Sequence, residues 1–307
     1  MQLTGLIAAP HTPFNSDFSL NLDCVPKQAA HLAATGVKRA FVGGTTGESL
    51  SLSTTERIGL FHAWGEATKE SSITFIAHIG HNSLSDAQAL AEAAQAAGAE
   101  AIGAMAPTFF KPKDTASLMG WFVRITEPAE GLPFYFYDIP SMTGVSIDTK
   151  QFVESARERI PSFAGVKYTN PDRDQLSAIL ALENHSPDML WGCDEELLVG
   201  LDMGCQGAVG SSYNFAAGMY HREIEAYKLG DKDEAKHWQS RSVALIDTLK
   251  SHGYMHSAKA VMEMVGVDCG PARLPLPQIT DEERYDLRAQ LETLGFFEWL
   301  NECTETK

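Results

Sequence analysis

A (β/α)₈ barrel extended by carboxyl-terminal helices is the fold class this sequence predicts, on three observations. Eight short apolar or β-branched runs recur along the chain: Gly5 to Thr12, Arg39 to Gly43, Ile73 to Ile79, Ala101 to Ala106, Leu132 to Tyr137, Phe163 to Tyr168, Met189 to Gly192 and Gly207 to Val209. Segments with helical spacing alternate with them, among them Thr55 to Lys69, Asp86 to Ala97 and Thr149 to Arg159. A chain of 307 residues, 44% hydrophobic and 21% charged, also suits one large barrel core. A doubly wound open sheet is the structural alternative, but the Gly-x-Gly-x-x-Gly turn usual after its first strand is absent here.

The element starts carry local signals. Ser53 with Glu56, and Asp148 with Gln151, place a capping oxygen three residues before a partner that can reach back. These helices begin several residues after the strands they follow, leaving loops long enough for function at the carboxyl ends of the strands. From about Asp231 the alternation stops, and helices are expected near Asp233 to Ser251, His256 to Val265 and Asp281 to Trp299. The organisation is therefore a barrel over residues 1–230 and a helical extension over 231–307, packed as one structural unit. Between the last two helices, Pro271-Ala272-Arg273-Leu274-Pro275-Leu276-Pro277 reads as an extended linker without a catalytic role, because proline fixes φ and resists helix.

Composition excludes several function classes. The net charge of -16 repels a phosphate backbone, which disfavours a nucleic-acid partner. An anionic small molecule stays compatible, because salt screens the distant field over roughly 8 to 10 Å and a few local donors outweigh it. Cys24, Cys193, Cys205, Cys269 and Cys303 match neither zinc spacing nor a small disulfide framework and read as free thiols. Met1-Gln2-Leu3-Thr4 shows no charged segment leading into an apolar run, and no stretch approaches a membrane span, so no membrane partner and a cytoplasmic location are expected.

Chemistry concentrates at the strand ends. Lys167 lies in Phe163-Ala164-Gly165-Val166-Lys167-Tyr168-Thr169, a run that otherwise belongs inside a strand. An ordinary lysine is only ~0.04% free amine at pH 7, and desolvation raises that fraction, so a buried lysine is a candidate nucleophile. The competing reading has Lys167 snorkelling to solvent or pairing with Asp172. Tyr137 ends the fifth strand, where a phenol can move protons beside the lysine strand; alternation puts Tyr135 on the same face, so one of the two can be packing alone. In Gly43-Gly44-Thr45-Thr46-Gly47-Glu48, converging backbone N–H groups and the hydroxyls of Thr45 and Thr46 suit a carboxylate, and the loop lacks the lysine of a phosphate-binding P-loop.

Gly192-Cys193-Asp194-Glu195 and Gly210-Ser211-Ser212-Tyr213-Asn214 end the seventh and eighth strands. Asp194 and Glu195 offer acceptors with no matching histidine cluster, which suits a polyol better than a metal, although acids at a helix start also simply favour its dipole. His78 and His81 read as structural. Five chemically distinct groups at the carboxyl ends of different strands make a shared site the better reading.

These motifs, in this order and spacing, resemble the dihydrodipicolinate synthase / N-acetylneuraminate lyase family of Schiff-base lyases across essentially the whole chain. The resemblance implies catalysis by Lys167 and Tyr137. It also implies substrate binding by Thr45, Thr46, Thr169, Gly192, Asp194, Glu195 and Ser211, no metal or organic cofactor, and a homotetramer. Met142 stands two residues beyond Pro140, where the synthases typically carry an arginine, which puts synthase activity in doubt. Lys167-Tyr168-Thr169, Gly210 to Asn214 and Pro271 to Leu276 look like the lyase branch, implying reversible cleavage of N-acetylneuraminate to N-acetylmannosamine and pyruvate through an imine on Lys167. One departure stands out: Phe109-Phe110 replaces a tyrosine that in many members reaches a neighbouring subunit's site. A 2-keto-3-deoxy sugar-acid aldolase or dehydratase is the nearest alternative, and a non-catalytic sugar-acid binding protein is the alternative from another class.

Overall fold

The computed structural model describes residues 2–182 and 187–304. Eight parallel strands close in sequence order: β1 Gly5–Ala8, β2 Arg39–Val42, β3 Thr74–His78, β4 Ala101–Met105, β5 Phe134–Asp138, β6 Phe163–Tyr168, β7 Asp188–Trp191 and β8 Gly207–Gly210. Closure is made by β8 against β1, with Gly5 opposite Gly207 and Ala8 opposite Gly210. All eight expected strands are present, but several are shorter than their apolar runs. The first ends at Ala8, because the polypeptide beyond it leaves the ladder as the loop that carries His11 and Thr12.

Side-chain alternation divides the core into two. Ile7, Phe41, Ile76, Met105, Tyr135, Tyr137, Leu190 and Val209 fill the barrel interior. The alternate residues, such as Ala40, Phe75, Ile102, Phe136 and Val166, pack outward against the surrounding helices. A register irregularity between Phe134 and Tyr135 sets Tyr135 opposite Gly165 and Tyr137 opposite Lys167. That shift decides which residues of β6 face inward next to Tyr137.

The helix Thr54–Lys69 begins on a complete capping box, with Ser53 and Glu56 bonding reciprocally. At Thr149–Arg159 only one half forms: the Asp148 side chain accepts from the Gln151 amide. Among the described residues the extension contains four helices rather than the three expected: Lys232–Ser251, Tyr254–Met264, Asp281–Leu294 and Phe296–Thr304. The predicted continuous helix from Asp281 to Trp299 is broken at Gly295, whose φ of 86° terminates the first segment in a left-handed cap. Residues 305–307 of the expected extension lie outside the described residues. The extension packs on the barrel, with Cys269 accepting the Phe14 amide through its carbonyl and Lys259 buried between the two.

Candidate active site

Strand register brings the lysine and the phenol together. Lys167 is directly opposite Tyr137 across β5 and β6, and its side chain turns into the barrel. Its Nζ lies 3.8 Å from the centre of the Tyr137 ring and 4.4 Å from that of Phe41. Lys167 is buried and has no ion pair among the described residues, so it neither snorkels nor pairs with Asp172. The Asp172 carboxylate instead caps its own helix by accepting the Gln175 amide at 2.9 Å. An amine held against two aromatic faces, with no carboxylate in ion-pairing distance among the described residues, suits attack on a carbonyl.

Tyr135 and Tyr137 share the inner face, as alternation requires, but they serve different ends of the barrel. Tyr135 donates to Asp188 at 2.9 Å, and Asp188 also accepts the Leu3 amide, closing the amino-terminal end. The Tyr137 hydroxyl lies 3.3 Å from Thr45 Oγ1 at the carboxyl-terminal mouth. Its neighbour Asp138 accepts Thr149 Oγ1 at 2.8 Å and Asn170 Nδ2 at 2.9 Å, which locks the ends of β5 and β6 to one another.

The loop after β2 turns on Glu48, a non-glycine residue with φ of 55°. Thr45 and Thr46 sit half-buried at its tip, and Thr12 Oγ1 donates to the Gly47 carbonyl at 2.6 Å. Across the mouth, Thr169 Oγ1 is buried without a hydrogen-bond partner among the described residues. It stands over Gly192, where an added Cβ would come within 2.0 Å of that hydroxyl. An unused buried hydroxyl beside a bare backbone is a place for a ligand oxygen.

Asp194 is buried and accepts both the amide and the hydroxyl of Ser212, at 2.8 Å and 2.5 Å. Burial pushes its carboxyl up to about 6, against the lowering effect of those bonds. Gly210 permits this placement, since a Cβ there would meet Asp194 Oδ1 at 2.3 Å. Ser211 Oγ is 2.7 Å from the Tyr254 hydroxyl, and Glu195 accepts Lys250 Nζ at 2.7 Å. Two residues proposed from barrel loops are thus held by the helical extension.

His78 is fully buried inside the barrel, its ring packed against Phe41 and Tyr137. The Met105 amide donates to it, and the fully buried Arg57 donates to its carbonyl and to that of Gly80. Burial, with the Arg57 guanidinium beside it, holds its imidazole well below the usual histidine range. This agrees with the structural reading of His78. His81, half-buried, accepts the Ser83 amide through Nδ1. Among the described residues no group of three or more His, Cys, Asp or Glu side chains is arranged to hold a metal, and no described helix is long and apolar enough to cross a membrane.

The sequence reading missed Lys259 and Tyr254, which sit in the extension and have no motif of their own, and assigned no part to Arg273. The signal for Lys259 is its place in Ala258-Lys259-Ala260-Val261-Met262, an otherwise apolar run whose residues are all buried.

Fold and site together define a (β/α)₈-barrel protein with an amine, a phenol and a ring of hydroxyls at one mouth. The chain belongs to the dihydrodipicolinate synthetase family, whose model matches residues 2–294. The N-acetylneuraminate lyase of Gallus gallus is 37% identical over 297 residues, covering 95% of this chain and 96% of that protein. Among solved structures, Proteus mirabilis N-acetylneuraminate lyase superposes with a TM-score of 0.93 at 35% identity, covering 96% of this chain and all of that one. The Aliivibrio salmonicida N-acetylneuraminate lyase, also called sialic acid aldolase, gives 0.93 at 33% identity, covering 96% and 98%.

Proposed function

We propose that this protein is a Schiff-base aldolase that cleaves N-acetylneuraminate reversibly to N-acetylmannosamine and pyruvate. The observation that carries the reading is the buried Lys167 amine against the Tyr137 ring, with Thr45 in contact with the Tyr137 hydroxyl. The substrate assignment rests on the named lyases matched over nearly the full chain.

In this reading the carboxylate of the open-chain sugar acid binds the hydroxyls of Thr45 and Thr46. The Lys167 amine attacks the C2 ketone, and loss of water gives a protonated imine that withdraws electrons from the adjacent carbons. Tyr137 mediates removal of the C4 hydroxyl proton, the C3–C4 bond breaks, and its electron pair moves into an enamine while C4 leaves as the aldehyde of N-acetylmannosamine. Protonation at C3 and hydrolysis release pyruvate and free the amine. The cycle is redox-neutral and calls on no metal or organic cofactor. Thr169, the backbone of Gly192, Asp194, Glu195 and Ser211 bind the polyol end, each neutral hydrogen bond contributing only about 0.5–1.5 kcal/mol, so that recognition is distributed.

Met142 favours cleavage over synthase chemistry, because the mouth carries an exposed thioether where an arginine would bind a second anion. A homotetramer is the proposed assembly, supported by exposed apolar side chains around the same mouth: Leu50, Phe109, Phe110 and Met142. The proposed location is cytoplasmic, supported by five free cysteines. The test is release of pyruvate from N-acetylneuraminate set beside release from 2-keto-3-deoxygluconate. Pyruvate from the first is expected; pyruvate from the second alone would overturn the substrate assignment.

A further inference from the structure

Among the buried charges that the reaction above does not use, one pair joins the carboxylate-binding loop to the carboxyl-terminal extension. Glu48 Oε1 lies 2.9 Å from Lys259 Nζ, with side chains only 1% and 2% exposed. Its other oxygen accepts the backbone amide of Arg273 at 2.7 Å. Lys259 also donates to the carbonyls of Thr12 at 2.9 Å and Pro271 at 2.7 Å. Thr12 in turn holds Gly47 through its hydroxyl, so both residues after Thr46 are tied from outside the loop. Arg273 completes the strap, with its guanidinium on the Phe18 and Ser51 carbonyls and the Glu56 carboxylate.

The backbone at Glu48 makes this arrangement informative. A left-handed conformation at a non-glycine residue is unfavourable and persists where surrounding contacts fix it. A buried ion pair, with its desolvation cost, is a weak source of stability in itself. Here the unfavourable backbone and the costly pair occur at one residue, two positions from Thr46. Pro275 and Leu276, just beyond Arg273, line the same cavity of about 240 Å³ at the mouth as Thr45 and Met142.

We propose that Glu48, Lys259 and Arg273 are positioning residues that hold Thr45 and Thr46 in the geometry that binds the keto-acid carboxylate. This proposal rests on the aldolase reading. The Pro271–Pro277 segment is then a working part of the site rather than a passive linker, and the extension sets the affinity of the barrel for its substrate's anionic end.

The experiment is borohydride trapping on the full chain, read by intact mass, with pyruvate and with methyl pyruvate, which keeps the ketone but lacks the anion. Labelling of the wild-type protein by pyruvate tests the aldolase reading by itself; no label at any pyruvate concentration overturns that reading and this proposal with it. In E48Q/K259M both buried charges are removed together, so neither is left unpaired, and circular dichroism checks the fold. The half-saturating pyruvate concentration should rise by at least about tenfold, the loss of roughly one charged hydrogen bond. Half-saturation by methyl pyruvate should change by less than about threefold, since no anion contact is at stake. Arg273→Ala, which leaves the buried pair in place, should move pyruvate in the same direction by a smaller factor, and it serves as the test if the double variant fails to fold. A labelled wild type with unchanged pyruvate half-saturation in the folded variants, or equal weakening of both ketones, overturns the positioning role while leaving the aldolase reading intact.

Discussion

Lys167 Nζ rests 3.8 Å from the ring centre of Tyr137, its direct neighbour across the β5–β6 ladder. The contact ties the proposed nucleophile and proton carrier to one register, so a shift of either strand by a residue would separate them.

Lys167→Met keeps the length and apolar stem of the side chain and removes the amine. Cleavage activity should fall by on the order of 10⁴-fold or more, as for loss of a nucleophile, and borohydride labelling should vanish. Thermal stability should stay equal or rise, because a buried, unpaired amine is replaced by a thioether that packs. Residual labelling at another lysine would show that the nucleophile lies elsewhere.

Tyr137→Phe retains the ring under the amine and removes the hydroxyl near Thr45. Turnover should drop by about 10²–10⁴-fold, the usual range for a positioned acid–base group. Pyruvate should still label Lys167. A turnover number within a factor of a few of the wild type would remove Tyr137 from the proton path.

Asp194, proposed to bind the polyol end of the substrate, also couples folding to pH. Its folded-state carboxyl is raised to about 6 from 3.8, so the folded protein holds this proton more tightly than the unfolded chain does. The favourable contribution is complete below the unfolded value and is lost as pH rises through about 6, on the order of 3 kcal/mol. Asp194→Asn should flatten the pH dependence of the unfolding temperature between 4 and 6. It should also raise KM for the sugar acid more than it lowers kcat.

Glu223 is buried in the helix Tyr213–Leu229, and neither carboxylate oxygen makes a well-formed hydrogen bond among the described residues. Burial, only partly offset by the nearby Leu198 amide, pushes its carboxyl up to about 8 from 4.5. The sign is the same: stability present below the unfolded value is lost as pH rises through about 8. Glu223→Gln should raise the unfolding temperature at pH 9 and leave it nearly unchanged at pH 4. Differential scanning calorimetry across that range checks it, and equal effects at both pH values would exclude ionisation as the cause.

Phe109 and Phe110 are 76% and 86% exposed and stack edge to face at 4.9 Å. Such an apolar pair at the mouth is costly in water and useful at an interface. Replacing both by serine should shift the proposed tetramer towards smaller species in light scattering. An unchanged mass would place the assembly contacts elsewhere.

The alternation of short apolar runs and helical segments was enough to set eight strands and their order, because strand and helix periods are local properties of the chain. The strand-end positions of Thr45, Tyr137, Lys167, Asp194 and Ser211 followed from the same pattern. Local pattern failed at Gly295, where one left-handed residue splits a helix whose flanks are both helical in composition. Tertiary structure alone decided three things. The irregularity in the β5–β6 ladder sets Tyr137 opposite Lys167. Alternation left Tyr135 and Tyr137 equivalent until Asp188 took the hydroxyl of the first and Thr45 met that of the second. Glu48 carries no local sign of its partners, since Lys259 and Arg273 reach it only when the extension folds back over the barrel mouth. Periodicity tells which face a side chain occupies, whereas the partner of a buried charge is fixed by chain closure between segments far apart in sequence.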